Sequence, residues 1–465
     1  MTRILLRAAK SPFTALKPEV SLEGFGAGVW GSNVGNLIFG DSVHRLISTP
    51  DTEVFTNAFL TERSGVTPQY IDAINEQFDH FVIPLANAFR ASFIPTLSRL
   101  TSVIEKLQIP VTVVGVGVVG GKNSLSAPIP TLNEEDTLVV QRFINAVLDR
   151  SSSMGVRGEF TAEYMKNLGY GEEHVRVVGC PSLFKFGPEL RVNKKVDALN
   201  ADSPVSMNLT PYVKEMGPIS LANAKKYNNL TYIPQISEDL EMLMWGKDHE
   251  KYKNKKLPVH VQHPLYLQDK IRFFVDSNTW SDYLGTRDFT FGTRIHGNIA
   301  ALMAGTPAYV LAHDARTLEL AQYHGIPHTK VPDLAGRTDA EEFYELADYS
   351  EFNKRQPGLF NTFADFLAEN NLEHVYLPGK ENPEYDARIA ATEYANPVRA
   401  LVSTDPVAQR ESYERIVAAR ADNFLRSVKE EAVQTYEFPP IPPAFPSLKK
   451  NLVQRAVRKL NKIVN

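Results

Sequence analysis

The segment from Asp288 to Leu311 leaves the least freedom in how this chain folds. Asp288-Phe-Thr-Phe-Gly292 carries a short apolar, β-leaning run, and Thr293-Arg294-Ile-His296-Gly297 breaks it. From Asn298 to Ala304 the residues are small and apolar helix formers, ended by Gly305 with Pro307 two positions on. A glycine just past a helical run, with a proline soon after, marks a helix C-terminus. The segment predicts strand, turn, helix, turn, strand, the repeating unit of a parallel sheet. Arg294 and His296 then stand where strand gives way to helix, where unpaired N–H groups and the helix dipole favour an anion. A fixed cation with an imidazole two residues away suits a phosphate or carboxylate with proton transfer beside it. The same pair could equally cap carbonyls or cover a neighbouring loop.

The alternation recurs along the chain. A strand from residue 3 leads to the glycine-rich stretch Gly24 to Asn36 and a helix Leu37–Ile47. Phe81–Pro84 and the run from Val111 read as buried strands with a helix Leu97–Leu107 between them, and a helix follows from Asp136 to Arg150. Arg157 closes the next strand and precedes a helix stopped by Gly169. It is a second cation at a sheet's carboxyl edge, or else the ion-pair partner of Glu159 or Glu163. A strand Val175–Leu183 ends this half. From Val205 the pattern restarts: a strand, a polar and helical insertion to Trp245, a strand Val259–His263, a helix, then the opening segment. His263 faces the cleft in this reading, or is a core or surface histidine. Arg316, at the start of the helix after Leu311, is an anion ligand or the partner of Glu319 at a spacing of three.

A chain of 465 residues exceeds what one core serves. The restart divides it into doubly wound α/β domains at 1–187 and 188–377 that face each other across a cleft, with a helical extension at 378–465. A net charge of −4 gives no global attraction to nucleic acid, so an anionic ligand must be held by a local cluster. The single cysteine, Cys180, excludes an intrachain disulfide and reads as a packing residue rather than a nucleophile. Lys122, in the glycine-rich stretch after Gly115, reads as a solvated lysine rather than a phosphate ligand. No His/Asp/Glu grouping has metal-ligand spacing. The first apolar run is broken by Arg7, too short for a leader or a membrane span, which points to the cytoplasm. Phe360 to Leu372 has apolar residues at helical spacing. Phe438 to Pro446 reads as an extended polyproline linker. Beyond it Leu448, Leu452, Ala456, Leu460 and Ile463 share one helical face, while Lys449, Lys450, Arg455, Arg458, Lys459 and Lys462 cover much of the rest. That helix either touches an anionic membrane surface or packs back on the body.

Arg294-x-His296-Gly297, followed by a small-residue helix and Ala-Gly305-Thr-Pro307, resembles the signature segment of the polysaccharide pyruvyl transferase family. The resemblance extends to Asn33-Val-Gly35-Asn36, in the place of that family's Asn-x-Gly-Asp, to Val156-Arg157, and to Gly179-Cys-Pro-Ser182. Asn36 stands where the family usually shows Asp, and Pro84-Leu-Ala-Asn87-Ala-Phe-Arg90 where many relatives have a glycine pair. The resemblance implies two Rossmann-like domains arranged as in the two-domain (GT-B) glycosyltransferases, the first on the acceptor side and the second on the donor side. It implies transfer of the pyruvyl group of phosphoenolpyruvate to a sugar of a cell-surface glycan or its lipid-linked precursor, forming a pyruvate ketal without cofactor or metal. On this expectation His296 is the general acid. Arg294 and Arg157 hold carboxylate and phosphate, and Gly297, Arg316, His263 and Asn33 complete the substrate-binding set. A nucleotide-sugar glycosyltransferase and a non-catalytic sugar- or nucleotide-binding protein remain the alternatives.

Overall fold

The computed structural model describes residues 1–23, 29–31, 33–119 and 132–419. Six short apolar runs of the first half form strands: β1 (Thr2–Leu6), β2 (Thr52–Thr56), β3 (His80–Pro84), β4 (Val111–Val114), β5 (Met154–Val156) and β6 (Val175–Val177). The first four lie in the order β2-β1-β3-β4, and β5-β6 join them through a parallel bridge between Val116 and Val156. All these pairings are parallel. Alternate residues serve opposite faces, as a period of two requires. Leu5, Phe81, Ile83 and Val113 enter one core with the helices Pro68–Gln77, Ile94–Ile104 and Glu134–Leu148. Ile4, Leu6, Val82 and Val114 enter the other with the helix Gly35–Ile47.

The second half repeats the plan with β7 (Val205–Asn208), β8 (Thr231–Tyr232), β9 (Arg272–Phe273), β10 (Phe289–Gly292), β11 (Ala308–Ala312) and β12 (His328–Lys330). Five of these strands are ordered β12-β11-β10-β7-β8, again parallel, and a bridge from Tyr232 to Ile271 brings β9 beside β8. The expected α/β architecture of two doubly wound units is present. In each sheet the strand order reverses beside the unit's first strand, between β1 and β3 and between β7 and β10. Ligands of open parallel sheets bind outside the carboxyl ends of the strands at such reversals.

Three details depart from the expectations. The segment Val259–His263 is not a strand; it leads into the short helix Pro264–Leu267, which His263 caps. The strand β8 lies inside what read as a helical insertion, between the helices Met216–Lys226 and Ser237–Trp245. The helix Ser350–Glu369, placed by sequence in the second unit, crosses back to the first. Its Phe360, Phe363, Phe366 and Leu367 pack with Ile4, Val82, Val114 and Phe184. The extension then spans both units: Arg45 grips Asp386 with two hydrogen bonds of 2.9 and 2.8 Å, β13 (Val398–Arg399) pairs antiparallel with β9, and Arg415 pairs with Glu19. The final helix is described from Pro406 to Ala419. The polyproline linker, the basic helical face and Lys122 lie outside the described residues.

Phe363 is fully buried and stacks on Phe184 with centroids 5.1 Å apart. Phe363→Ala should lower unfolding free energy by about 3–5 kcal/mol, because a large buried ring leaves a cavity that the sheet above it cannot close. Urea unfolding checks this, and a loss below about 1 kcal/mol would show that the crossing helix is not part of the first unit's core.

Candidate active site

A cavity of about 360 Å³ lies between the carboxyl edges of the two sheets. Many polar residues on its wall come from segments that follow strand ends. The first unit contributes Arg7 after β1, Asn87 and Arg90 after β3, and Arg157 after β5; the second contributes Thr210 and Tyr212 after β7, Arg294 and His296 after β10, and His313 and Arg316 after β11.

The turn that carries Arg294 is fixed by backbone geometry and two buried amides. Gly292 has φ of +148°, and a Cβ there would fall 1.8 Å from the Asn208 carbonyl oxygen, so only glycine lets β10 end this close to β7. Asn208 Oδ1 accepts the Arg294 N–H at 2.7 Å, and its amide donates to Asn298 Oδ1 at 3.2 Å. Asn298 Nδ2 donates in turn to the carbonyls of Gly292 and Arg294. Arg294 is thereby held as the N-cap of the helix Ile295–Met303, which leaves the first-turn N–H groups of Ile295 and His296 without intrahelical acceptors.

Five guanidinium groups line the cavity: Arg7, Arg90, Arg157, Arg294 and Arg316. Three of them are matched by carboxylates. Arg7 meets Glu62 through two hydrogen bonds of 2.7 and 3.0 Å, Arg157 pairs with Glu319 at 2.9 Å, and Arg316 pairs with Asp314. Among the described residues no carboxylate pairs with Arg90 or Arg294. Arg90 bonds Ser92 Oγ and the Asn87 carbonyl, and Arg294 Nε bonds the Leu209 carbonyl at 3.3 Å. The cluster as a whole therefore keeps two positive charges uncompensated, on opposite units.

His296 sits half-buried in this field, beside Phe39 and against Gly35, where an added Cβ would fall 2.7 Å from its Nδ1. Burial, then repulsion from Arg157, Arg316 and Arg294, lowers its pKa to about 4. The imidazole is neutral at neutral pH. His313 is a second cavity imidazole, 3.3 Å from the Tyr212 hydroxyl and also lowered to about 4, chiefly by burial. Thr210 Oγ1, Gln235 Nε2 and His313 Nδ1, all on cavity-lining residues, are buried with no hydrogen-bond partner among the described residues. Buried polar atoms without partners are costly, and a polar ligand or water satisfies them.

The expected site residues divide into two sets. Arg157, Arg294, His296, Arg316 and Asn33 all reach the cavity. Neither expected partner of Arg157 holds: it pairs with Glu319 of the other unit, and Arg316 turns to Asp314 rather than Glu319. Asn33 Oδ1 accepts the Gly35 N–H at 2.8 Å, and its backbone bridges to Ile236 across the cleft. Asn36 donates its amide to the Trp30 carbonyl at 2.8 Å, a bond that an aspartate at this place would not make. His263 and Gly297 do not line the cavity. His263 is fully buried, its Nδ1 accepting the Leu265 N–H as a helix cap, with burial lowering its pKa to about 4. Gly297 bonds the Arg294 carbonyl, and a side chain there would collide with Gln235 and Asn208; its role is close packing. Cys180 is buried, its N–H bonded to His324, and burial raises its thiol pKa, in keeping with the packing reading. Arg7, Arg90, His313 and Tyr212 were not singled out from sequence. Taking the first polar residues after each apolar run would have found Arg7 and His313; Arg90, six residues past β3, carries no such mark. No group of three His, Cys, Asp or Glu among the described residues could hold a metal ion. None of their helices is long and apolar enough to cross a membrane.

The sequence model of the family described as polysaccharide pyruvyl transferase matches residues 50–315, which hold β2 to β11 and the Arg157, Arg294 and His296 positions. The chain belongs to the polysaccharide pyruvyl transferase family. Asn33 and Arg316 lie outside the matched span. No curated protein matches the chain. Solved structures similar to it include UDP-GlcNAc 2-epimerase from Neisseria meningitidis bound to UDP-GlcNAc, at 10% identity over 80% of this chain and 100% of that one, with a TM-score of 0.39. Another is S. aureus MnaA with UDP, at 12% identity over 85% and 99%, TM-score 0.37. A third is Anabaena Alr3699/HepE with UDP and glucose, at 12% over 83% and 99%, TM-score 0.37. These likenesses are too distant to bear on substrate.

Arg157 and Glu319 join the two units behind the cavity, and the pair is buried on both sides. Glu319→Ala should cost about 3–5 kcal/mol, since it strands a buried guanidinium without its counter-charge. Denaturant unfolding reads the loss; a change under about 1 kcal/mol would mean that another group or water solvates Arg157.

Proposed function

We propose that this member of the polysaccharide pyruvyl transferase family moves the pyruvyl group of phosphoenolpyruvate onto a sugar and closes a pyruvate ketal. The observation that carries the reading is Arg294, a cavity guanidinium with no carboxylate partner among the described residues, at the N-cap of a helix whose second residue is His296. Phosphoenolpyruvate has a carboxylate and a phosphate on adjacent positions. Arg294 and the N–H groups of Ile295 and His296 suit one of them, while the remaining donors of Arg157 and Arg316 suit the other. The donor then lies against the second unit, and the acceptor enters from the side of Asn33 and the β3 loop.

The chemistry needs a proton at the methylene carbon and a hydroxyl at the carbon that bears the phosphate. One acceptor hydroxyl adds there and loses its proton, and the methylene becomes a methyl group. Phosphate then leaves with its bonding electron pair, and a second hydroxyl adds and loses its proton, giving ketal and inorganic phosphate. No cofactor enters this sequence. His296 is the proposed proton donor, and its field makes the donation conditional on ligand. The cations that hold it near pKa 4 are neutralised when the donor's negative charge arrives, so the imidazole gains a proton on binding. Arg157 and Arg316 face the charge that develops on the leaving phosphate. The Tyr212 ring, half exposed at the rim, offers a surface for a sugar.

Two variants test the reading together. Arg294→Ala should weaken phosphoenolpyruvate binding at least tenfold in a folded protein. His296→Gln should keep binding but lose most turnover and, in calorimetry at pH 7 in buffers of different ionisation enthalpy, lose the wild type's proton uptake on donor binding. Unchanged affinity in Arg294→Ala, with consumption of a nucleotide sugar instead, would move the protein to the glycosyltransferase alternative. Undiminished turnover in His296→Gln would pass the proton-donor role to His313.

A further inference from the structure

Arg90 is the cavity cation that neither the proposed donor nor a carboxylate among the described residues engages. It projects from the loop after β3, where Pro84 to Arg90 replaces the glycine pair expected from the family resemblance. Its guanidinium lies 5.1 Å from the centroid of the Phe93 ring, donates to Ser92 Oγ at 3.0 Å and bonds the Asn87 carbonyl. These contacts orient the group without neutralising it. Burial lowers its pKa below the ordinary arginine value, and repulsion from Arg316, Arg157 and Arg7 lowers it further, with no carboxylate acting against them. A half-buried cation held among like charges is expensive unless an anion joins it.

Arg90 follows β3 of the first unit, whereas Arg294 follows β10 of the second. They are the two cavity guanidiniums that no carboxylate among the described residues matches, while Arg157 and Arg316 are each paired with a carboxylate. A cavity of 360 Å³ is in the range of roughly 300–1,000 Å³ that encloses drug-sized ligands, more than a three-carbon acid fills. Asn87 joins Arg90 to Arg157, since its side chain accepts from Arg157 and its carbonyl from Arg90.

We propose that Arg90 binds a negative group on the acceptor, so that the acceptor of this chain is an acidic sugar bearing a carboxylate or a phosphate. The proposal rests on the reading of the cavity as a phosphoenolpyruvate site and adds to it the acceptor's charge. A planar guanidinium presents paired donors to either oxyanion, which a neutral sugar would leave unmatched. Arg90 is then a specificity residue of the first unit.

The test titrates glucuronate, glucose 6-phosphate and glucose into full-length protein saturated with phosphoenolpyruvate, comparing wild type, Arg90→Gln and Arg90→Lys by calorimetry. One of the two anionic sugars should bind wild type at least tenfold more tightly than glucose, and which one does so separates carboxylate from phosphate. Arg90→Gln should bring that preference within about threefold, and Arg90→Lys should restore part of it. Glucose binding as well as both anions, or an intact preference in Arg90→Gln, overturns the proposal. So does a tenfold loss of phosphoenolpyruvate affinity in Arg90→Gln, which would make Arg90 a donor ligand. If phosphoenolpyruvate does not bind wild type at all, the donor reading fails by itself, and the same three sugars in ligand-free protein decide the role of Arg90.

Discussion

The buried pair of Arg157 and Glu319 fixes how the two sheets meet. Arg157 follows β5 of the first unit and Glu319 lies on the helix Ala315–His324 of the second, with 2.9 Å between charged atoms. Further hydrogen bonds hold both groups: the Thr161 N–H reaches Glu319 Oε1 at 2.7 Å, and Arg157 donates to the Val118 carbonyl at 2.7 Å. Space for this passage comes from absent side chains. A Cβ on Gly117 would sit 2.2 Å from the guanidinium, and one on Gly158 would sit 2.2 Å from the Glu319 Cγ. Desolvation makes such a pair a poor source of net stability, but it penalises any arrangement of the units that separates it. Lys10 with Asp276, also buried, links the units a second time.

From that junction follows the electrostatics of the cleft. Arg157, Arg7 and Arg316 are each matched by a carboxylate, yet Arg157 and Arg316 still repel a proton on His296. Arg294 and Arg90 have no carboxylate partner among the described residues, and burial with repulsion from Arg157, Arg316 and Arg294 lowers the His296 pKa to about 4. On the proposed function, a site arranged in this way would couple proton uptake to donor binding, so that the acid forms only when there is a substrate to receive its proton. The helix N-terminus contributes direction as well as charge, because Asn208 and Asn298 leave the backbone around Arg294 one conformation to adopt.

Much of this was legible in the sequence, because parallel α/β units are written in local patterns. Apolar runs, helix stops such as Gly169 and Gly305, and the restart at Val205 each reflect a few neighbouring residues, and the two sheets follow from them. The Arg294 and His296 junction was visible for the same reason. What sequence did not reveal depends on residues far apart along the chain. Glu319 lies 162 positions from Arg157, so spacing suggested nearer carboxylates for that arginine and a nearer arginine for that carboxylate. His263 ends an apolar stretch that looks like a strand, yet Pro264 starts a helix and turns the histidine into its cap. The Phe360 to Leu367 stripe announced a buried helix but not which sheet it covers, since its apolar spacing would suit either.

The central claim is that the cleft binds phosphoenolpyruvate with its reacting carbon beside His296. A crystal structure of the protein soaked with phosphoenolpyruvate tests it most directly. The account predicts ligand density in the cleft, one anionic group on Arg294 and the N–H groups of Ile295 and His296, the other toward Arg157 and Arg316, and the methylene carbon next to the His296 ring. Density for the ligand elsewhere, or in the cleft with Arg294 and His296 touching nothing, would contradict it.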